Sequence, residues 1–261
     1  CLSCKGCASD CPTGTDIASY KSVVLDETYR GRLRPVTHYS MGWLPRWARL
    51  AATTRTGSSI NTLATLPGVS TLLKWGAGVD QRRDLPRFST GRNSTATPVA
   101  ATAGSPIVIW VDSFSDTFEY EGLRPMVDVL TAAGYAPRFL DRSACCGLTW
   151  ISTGQRDGAR RQLRRALDVL HPIIAAGIPV VGVEPSCVAV WRTDAAELLD
   201  DPRVDEVAAG VRTLAEVLTE AEWTPDLTGV EVIAQPHCHH ASVLGWATDR
   251  ALLERAGATV H

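Results

Sequence analysis

The apolar run IVIWVD, residues 107–112, predicts a strand that is buried on both faces of a sheet. Three further runs read as strands: YAPRFL (135–140), IPVVGVE (178–184) and EVIAQP (231–236). The first three are rich in branched or aromatic residues and are short, as strands in the middle of a parallel sheet usually are.

Helical patterns lie between these strands. Residues 117–133 and 154–177 show helical spacing of apolar positions, with an expected break at Pro172, and a closing helix is expected after residue 236. Because strands that alternate with helices form parallel sheets covered on both faces, the fold class is predicted to be α/β.

Composition divides the chain into three predicted regions. Residues 1–80 are expected to be a helical segment, with a helix over 16–25. Residues 81–105 are rich in Arg, Ser, Thr, Ala, Gly and Pro without a period, which is typical of a linker. Residues 106–261 form the predicted α/β domain. Trp43, Trp47 and Trp75 are expected to be buried against neighbouring helices; a membrane-facing or partner surface is the alternative.

Charge and length exclude several classes of function. The chain has 261 residues, with 26 Lys and Arg against 28 Asp and Glu, so no basic surface indicates nucleic acid. No apolar run reaches the length of a membrane-spanning helix. Eight cysteines that are clustered rather than spread favour metal binding in a reducing compartment, so a cytoplasmic location is expected, in the cytosol or peripherally on the cytosolic side of a membrane.

Four cysteines begin the chain in the pattern CLSCKGCASDCP, residues 1–12. Cys1, Cys4, Cys7 and Cys11, with a proline after the last, have the bacterial ferredoxin spacing. In two-cluster ferredoxins the fourth cysteine of such a run ligates the other cluster, which predicts a partner motif upstream of Cys1. Zinc is the alternative metal, although structural zinc sites usually have paired CxxC knuckles some distance apart.

The ferredoxin motif, the following TDIASYKSVVLDETYRGRLRP and the HYSMGWLPRWARLA stretch resemble the iron-sulfur half of FAD-linked oxidases that act on D-2-hydroxy acids such as D-lactate, glycolate or D-2-hydroxyglutarate. The resemblance runs through nearly the whole chain. It implies a 4Fe-4S cluster, FAD in a flavin domain in cis or on a separate partner protein, and an electron acceptor such as quinone. It also implies that the chain is truncated inside its second cysteine-rich repeat.

The resemblance extends to the cysteine-rich CCG repeat of the heterodisulfide reductases and their relatives. Asp112 stands at the first cysteine position, Cys145 and Cys146 precede the glycine of CCG, and Glu184 and Cys187 stand at the final CxxC. Two of five thiolates are therefore replaced by carboxylates, so a full cluster of that type is not expected in this repeat. Cys238, in the PHCHH stretch, would begin a second repeat.

These groups are expected to converge, because loops at the carboxyl ends of parallel strands gather the sites of α/β folds. The set Cys145, Cys146, Cys187 and Cys238 would hold iron-sulfur or, with histidine and carboxylate, a single metal ion. Burial for packing alone is the competing interpretation. One of His237, His239 and His240 could serve as a ligand or a proton relay.

Three functions remain open from the sequence. The favoured one is electron transfer within a flavin-dependent dehydrogenase of 2-hydroxy acids, in which this chain alone is not catalytic. The second is thiol–disulfide chemistry of the heterodisulfide reductase kind at the later cysteines. The third is a zinc-stapled binding module without redox chemistry.

Overall fold

A computed structural model describes residues 1, 3–89, 103–118 and 120–261. The first part of the chain is helical up to Ala77. Its helices are α1 (Gly6–Asp10), α2 (Ile17–Thr28), α3 (Val36–Ser40), α4 (Leu44–Thr53), α5 (Gly57–Thr65) and α6 (Pro67–Ala77). Asp16 caps α2, because its carboxylate accepts hydrogen bonds from the backbone amides of Ala18 and Ser19.

A four-stranded sheet forms the centre of the second part. Its strands are β1 (Ser105–Trp110), β2 (Tyr135–Phe139), β3 (Val180–Gly182) and β4 (Val211–Arg212). They are ordered β2-β1-β3-β4, and every neighbouring pair is parallel. N-terminal helices followed by a parallel sheet with helices confirm the predicted α/β class.

Both faces of the sheet are covered, as expected for a parallel sheet. Val108 and Trp110 pack into the larger core, and Ile107 and Ile109 pack on the opposite face with Leu130. All five side chains are buried. Alternate residues of β1 therefore face opposite layers, which explains why its sequence is apolar throughout rather than alternating.

The helices around the sheet lie between and after its strands. They are α7 (Ser115–Phe118), a 3-10 turn (Tyr120–Leu123), α8 (Arg124–Ala132), α9 (Leu148–Ser152), α10 (Arg156–Ala175), α11 (Pro185–Arg192), α12 (Asp194–Leu198), α13 (Arg203–Gly210), α14 (Leu214–Glu220), a π-helical turn (His240–Leu244) and α15 (Ala247–Arg255).

The run at 231–236 does not join this sheet. It forms the two-residue strand β5 (Glu231–Val232), which pairs in parallel with β6 (Thr259–Val260) as a separate sheet. The two strands are joined through α15, so a short strand–helix–strand unit follows the main sheet.

Two local expectations were wrong. Helix α10 continues to Ala175 without a break at Pro172. Pro172 is exposed and only one turn from the end of the helix, so water can satisfy the carbonyl that lacks its usual amide donor. Trp47 and Trp75 were expected to be buried but are 46% and 76% exposed. Helical spacing places a side chain on one face of a helix but does not show whether another helix covers that face.

The helical part contacts the α/β part through α2, α4 and the turn before α10. The Arg34 guanidinium donates to the carbonyls of Thr153 and Gly154 at 2.9 Å each, and the Trp43 indole donates to the Gln155 side chain at 2.7 Å. The predicted linker, 81–105, lies partly outside the described residues, at 90–102. No helix in the described ranges is long and apolar enough to cross a membrane.

Candidate functional site

A cavity of about 430 Å³ lies at the carboxyl ends of β1 and β3. Its lining is rich in groups that bind metals or carry redox chemistry. They are Cys4, Asp112, Cys145, Cys146, Glu184, Cys187, His237, Cys238 and His239. The cavity thus brings together five of the eight cysteines, and it gathers loops that are far apart in the sequence.

Asp112 follows β1 and has one carboxylate oxygen without a partner. Its Oδ1 atom accepts hydrogen bonds from the amides of Phe114 at 2.8 Å and Ser115 at 3.1 Å. Its Oδ2 atom is buried and has no hydrogen-bond partner among the described residues. Burial raises the pKa of Asp112 above its ordinary value. A buried lone pair at a cavity wall calls for a proton or a metal ion.

Cys146 and Cys187 are in contact, with 2.9 Å between their sulfur atoms. Cys187 is on the first turns of α11, whose N-cap is Glu184, and Cys146 is in the loop between β2 and α9. The hydrogen bond that the Cys187 thiol donates to Cys146, together with burial, raises the pKa of Cys187 well above its usual range. Cys187 is therefore protonated at neutral pH, and a metal would have to displace its proton to bind there.

The loop that carries Cys145 and Cys146 is fixed from both sides. The buried indole of Trp110 donates to the carbonyl of Ala144 at 2.8 Å. Gly147 has a φ of 78°, in the left-handed region that favours glycine, and it begins α9. Burial raises the pKa of Cys145 to about 12, with the neighbouring Cys146 adding to the effect.

The histidine-rich turn closes the cavity from the side of β5. The Nδ1 atom of His237 lies 3.0 Å from the hydroxyl of Ser186 and 3.3 Å from the backbone amide of His239. Because that amide can only donate, Nδ1 acts as an acceptor and the proton of a neutral ring lies on Nε2. Burial lowers the pKa of His239, which favours a neutral imidazole. The Nε2 atom of His240 pairs with Asp249 at 2.9 Å and faces α15 instead.

The N-terminal cysteines are placed differently from one another. Cys4 lines the cavity, and Cys7 accepts a hydrogen bond at its sulfur from the amide of Ile17 at 3.2 Å. The sulfur of Cys11 lies 3.1 Å from the hydroxyl of Thr13, and hydrogen bonds from Thr13 and Thr15 lower the pKa of Cys11 to about 6. Cys1 is exposed. Donors that stabilise sulfur in its charged form suit metal ligation.

Lys5 attaches the cysteine motif to the α/β part, and nothing in the sequence reasoning singled it out. Its backbone is in the left-handed region, with a φ of 62°, and its side chain is 5% exposed. The ammonium pairs with Asp16 and with Asp194 at 3.2 Å. Burial alone would lower the pKa of Lys5, but Asp194 and Asp16 together raise it. A buried lysine between two cysteines has no distinguishing pattern, because its partners are distant in sequence.

The metal donors surround the cavity rather than converge at one point. Across residues 1, 3–89, 103–118 and 120–261, no three His, Cys, Asp or Glu side chains are arranged as a closed metal site. The chemistry of the donor set, thiols with a free carboxylate oxygen and a neutral imidazole, nevertheless fits iron-sulfur or a thiophilic metal.

Comparison with curated proteins finds distant relatives. One subunit of the anaerobic glycerol-3-phosphate dehydrogenase of Escherichia coli is 24% identical over 196 residues, which cover 72% of this chain and 49% of that protein. D-2-hydroxyglutarate dehydrogenase of Escherichia coli is 23% identical over all of this chain, and that of Pseudomonas putida is 25% identical over 90% of it. The chain spans 27% and 23% of those two proteins.

No family model and no solved structure matches the chain significantly. The relatives carry the names of dehydrogenases, and dehydrogenases are oxidoreductases. The chain is thus a distant homologue of part of the D-2-hydroxyglutarate dehydrogenases and of part of the anaerobic glycerol-3-phosphate dehydrogenase.

Proposed function

We propose that the chain is the iron-sulfur electron-transfer portion of a flavin-dependent oxidoreductase that oxidises a D-2-hydroxy acid. Electrons would pass from FAD through 4Fe-4S clusters to an acceptor such as quinone. The observation that carries the proposal is the convergence of five cysteines with the unpartnered Asp112 oxygen on one cavity. Homology to D-2-hydroxyglutarate dehydrogenases supports the same reaction class.

Two sets of residues would hold metal. Cys1, Cys4 and Cys7 would hold one 4Fe-4S cluster, Cys11 would ligate a second one, and the clusters would supply one-electron transfer when bound. The chain's own contribution is to hold the ligands and to donate hydrogen bonds to sulfur. The Ile17 amide reaches Cys7 in this way. Such bonds withdraw charge from the ligands and raise the reduction potential.

The second set would be Cys145, Cys146, Cys187 and Cys238, with Asp112 as an oxygen ligand. Cys145 and Cys187 are protonated in the described arrangement, so metal binding would release their protons. We place the division between the two sets at the linker, with a ferredoxin-like segment over 1–80 and the cysteine-rich domain over 106–261. FAD would belong to a flavin domain, in cis or on a separate partner protein.

Thiol–disulfide chemistry is the second candidate, and the 2.9 Å contact between Cys146 and Cys187 favours it. The two thiols would lose two protons and two electrons together and form one S–S bond. A low-molecular-weight disulfide would accept both electrons and both protons, and its S–S bond would break to give two thiols. This candidate needs no metal in the cavity.

Metal analysis of anaerobically purified chain tests the proposal. We expect about four irons per chain with an equal amount of acid-labile sulfide, and an EPR signal after reduction by dithionite. Cys7→Ser is expected to lose most of this iron. Ser9→Ala, an exposed change between Cys7 and Cys11, is the matched control and is expected to retain it.

Other outcomes would decide against electron transfer. About one zinc per chain without sulfide would show the zinc-stapled module. Chain without metal that reduces a small disulfide, and loses this activity in both Cys146→Ser and Cys187→Ser, would show the second candidate. Iron that is lost in Cys187→Ser as well as in Cys7→Ser would extend the proposal to the cavity.

A further inference from the structure

A second cleft, of about 360 Å³, lies between α4 and α10 and shares Cys145 with the cysteine cavity. Three arginines line it: Arg46 and Arg49 from α4, and Arg165 from α10. No Asp or Glu is among the described residues that line it. The lining of the cleft therefore carries only positive charge, and carboxylates lie in an adjoining cavity that Arg49 and Arg165 share with Asp116, Asp141 and Asp168.

These guanidinium groups are not neutralised by ion pairs. In the described ranges, Arg46, Arg49 and Arg165 have no carboxylate within 4.0 Å. A larger cavity beside α2 differs in having carboxylates in its lining: Asp26, Glu27 and Asp157 pair with its Arg30, Arg34 and Arg160. Unpaired arginines on facing helices indicate a binding site rather than a structural network.

Arg46 is held in place by aromatic rings. Its guanidinium carbon lies 5.3 Å from the ring centroid of Trp43 and 5.6 Å from that of Trp150. Trp150 is buried, and Trp43 is fixed by its hydrogen bond to Gln155. A guanidinium that is stacked in this way keeps its N–H groups free for a ligand. Its rotational freedom is already restricted before the ligand binds, so less entropy is lost on binding.

Gln162 adds an unused donor to the same cleft. It lies one turn before Arg165 on α10, lines the cleft, and is 8% exposed. Its Nε2 atom is buried and has no hydrogen-bond partner among the described residues. A buried amide N–H group without an acceptor is rare in folded proteins and indicates an acceptor that is bound from outside.

We propose that this cleft binds the oxyanion group, carboxylate or phosphate, of a small molecule. Arg165 and Gln162 donate to it from α10, and Arg46 and Arg49 donate from α4. The volume is that of small-ligand pockets, which favours a metabolite over a protein segment. Because Cys145 lines both cavities, binding of the oxyanion group in the cleft places the rest of the small molecule beside the thiols. This inference does not depend on iron-sulfur binding.

Calorimetric titration of the 261-residue chain with inorganic phosphate and with malonate tests the proposal, with sodium chloride at equal ionic strength as reference. We expect one of the two anions to bind with a Kd of about 1 mM or lower. Arg165→Gln and Gln162→Met are each expected to weaken binding about tenfold, since each removes a donor. Arg164→Gln is the matched control: Arg164 is exposed on the same helix and does not line the cleft.

The two probes distinguish a phosphate ligand from a carboxylate ligand. Equal weakening by Arg164→Gln and Arg165→Gln would overturn the proposal, as would heats no larger than those of chloride. Binding of an acidic peptide but of neither small anion would also overturn it, in favour of a protein partner. If Arg165→Gln fails to unfold cooperatively, Arg49→Gln on the facing helix replaces it. Repeating the titration on metal-free chain separates this result from that of the metal analysis.

Discussion

The two groups of cysteines are held in opposite electrostatic environments. At the N-terminus, hydroxyl and amide donors surround sulfur, and the pKa of Cys11 is lowered to about 6. In the α/β part, burial raises the pKa of Cys145 to about 12. Cys11 is thus prepared as thiolate at neutral pH, whereas Cys145 stays protonated until a metal or an oxidant removes its proton.

This difference shows that the cysteines of the N-terminal motif and those of the cavity are positioned in different ways. The motif depends on local donors from the first turn of α2 and the residues after Cys11. The cavity depends on packing that brings distant loops together. Lys5 connects the two regions. Its replacement is therefore expected to have the largest effect on how they are held together.

Lys5→Met is expected to lower the free energy of unfolding by about 3 kcal/mol, because it leaves the buried carboxylate of Asp194 without its cation. Urea unfolding followed by circular dichroism measures the change. Lys21→Met is the control: among the described residues Lys21 donates to the carbonyl of Cys1 and the hydroxyl of Ser3 and to no others, so we expect a loss of about 1 kcal/mol or less. Equal losses in the two variants would contradict the anchoring function of Lys5.

The ion pair between Lys5 and Asp16 makes a contribution to stability whose pH dependence has a defined sign. Because the pKa of Lys5 is raised in the folded state, its contribution is complete below about pH 10.4 and is lost as the pH rises through the folded pKa. The pKa of Asp16 is lowered: burial alone would raise it, but the hydrogen bonds from Lys5 and Ser19 and the charge of Lys5 together outweigh burial. Its contribution is complete above about pH 3.9 and is lost as the pH falls through the folded pKa. Lys5→Met is expected to remove the alkaline limb of this profile.

The second prediction concerns the thiols themselves. In metal-free, reduced chain at pH 7, Cys11 is expected to react with iodoacetamide about 100-fold faster than Cys145. Thiolate fractions near nine-tenths and about one in 10⁵ would give a larger ratio, but the lower nucleophilicity of an acidic thiol offsets part of it. Peptide mass spectrometry over time gives both rates, and both residues are half-buried.

The pH profiles sharpen this test. The rate at Cys11 is expected to be flat above pH 7 and to fall below pH 6, whereas the rate at Cys145 rises about tenfold per pH unit up to pH 12. In urea, which unfolds the chain and removes both environments, the two rates should become similar. This control shows that the reagent itself does not prefer one of the two cysteines. Parallel profiles in folded chain would show that the two environments are alike.

Much of the fold could be predicted because β1, β2 and β3 are short apolar runs with helical patterns between them. Strand β4 could not, since two residues carry no period, and its pairing with β3 depends on distant packing. The same limit applies to β5, whose partner β6 is the last pair of residues before His261. Strand propensity indicates an extended segment but not which neighbour it pairs with.

The candidate site divides in the same way. The meeting of Asp112 with Cys145 and Cys187 follows from the rule that loops gather at the carboxyl ends of parallel strands. The presence of Cys4 in the same cavity does not, because it depends on how Lys5 is held against Asp194. Metal binding by any of these cysteines stays a prediction.

The smallest expected effect tests whether packing alone fixes the cavity cysteines. Trp110→Phe keeps the aromatic packing but removes the donor to the Ala144 carbonyl, so we expect a loss of about 1–2 kcal/mol and a faster reaction of Cys145 with iodoacetamide. Trp191 is equally buried, in the same core, but its indole N–H has no hydrogen-bond partner among the described residues. Trp191→Phe is therefore expected to be close to neutral, because it removes an unsatisfied donor together with a little volume. Equal losses of unfolding free energy in the two variants would mean that ring volume, rather than the hydrogen bond, positions the loop. The cavity cysteines would then be held by packing alone, in contrast to Cys7 and Cys11, whose sulfur atoms are stabilised by hydrogen-bond donors.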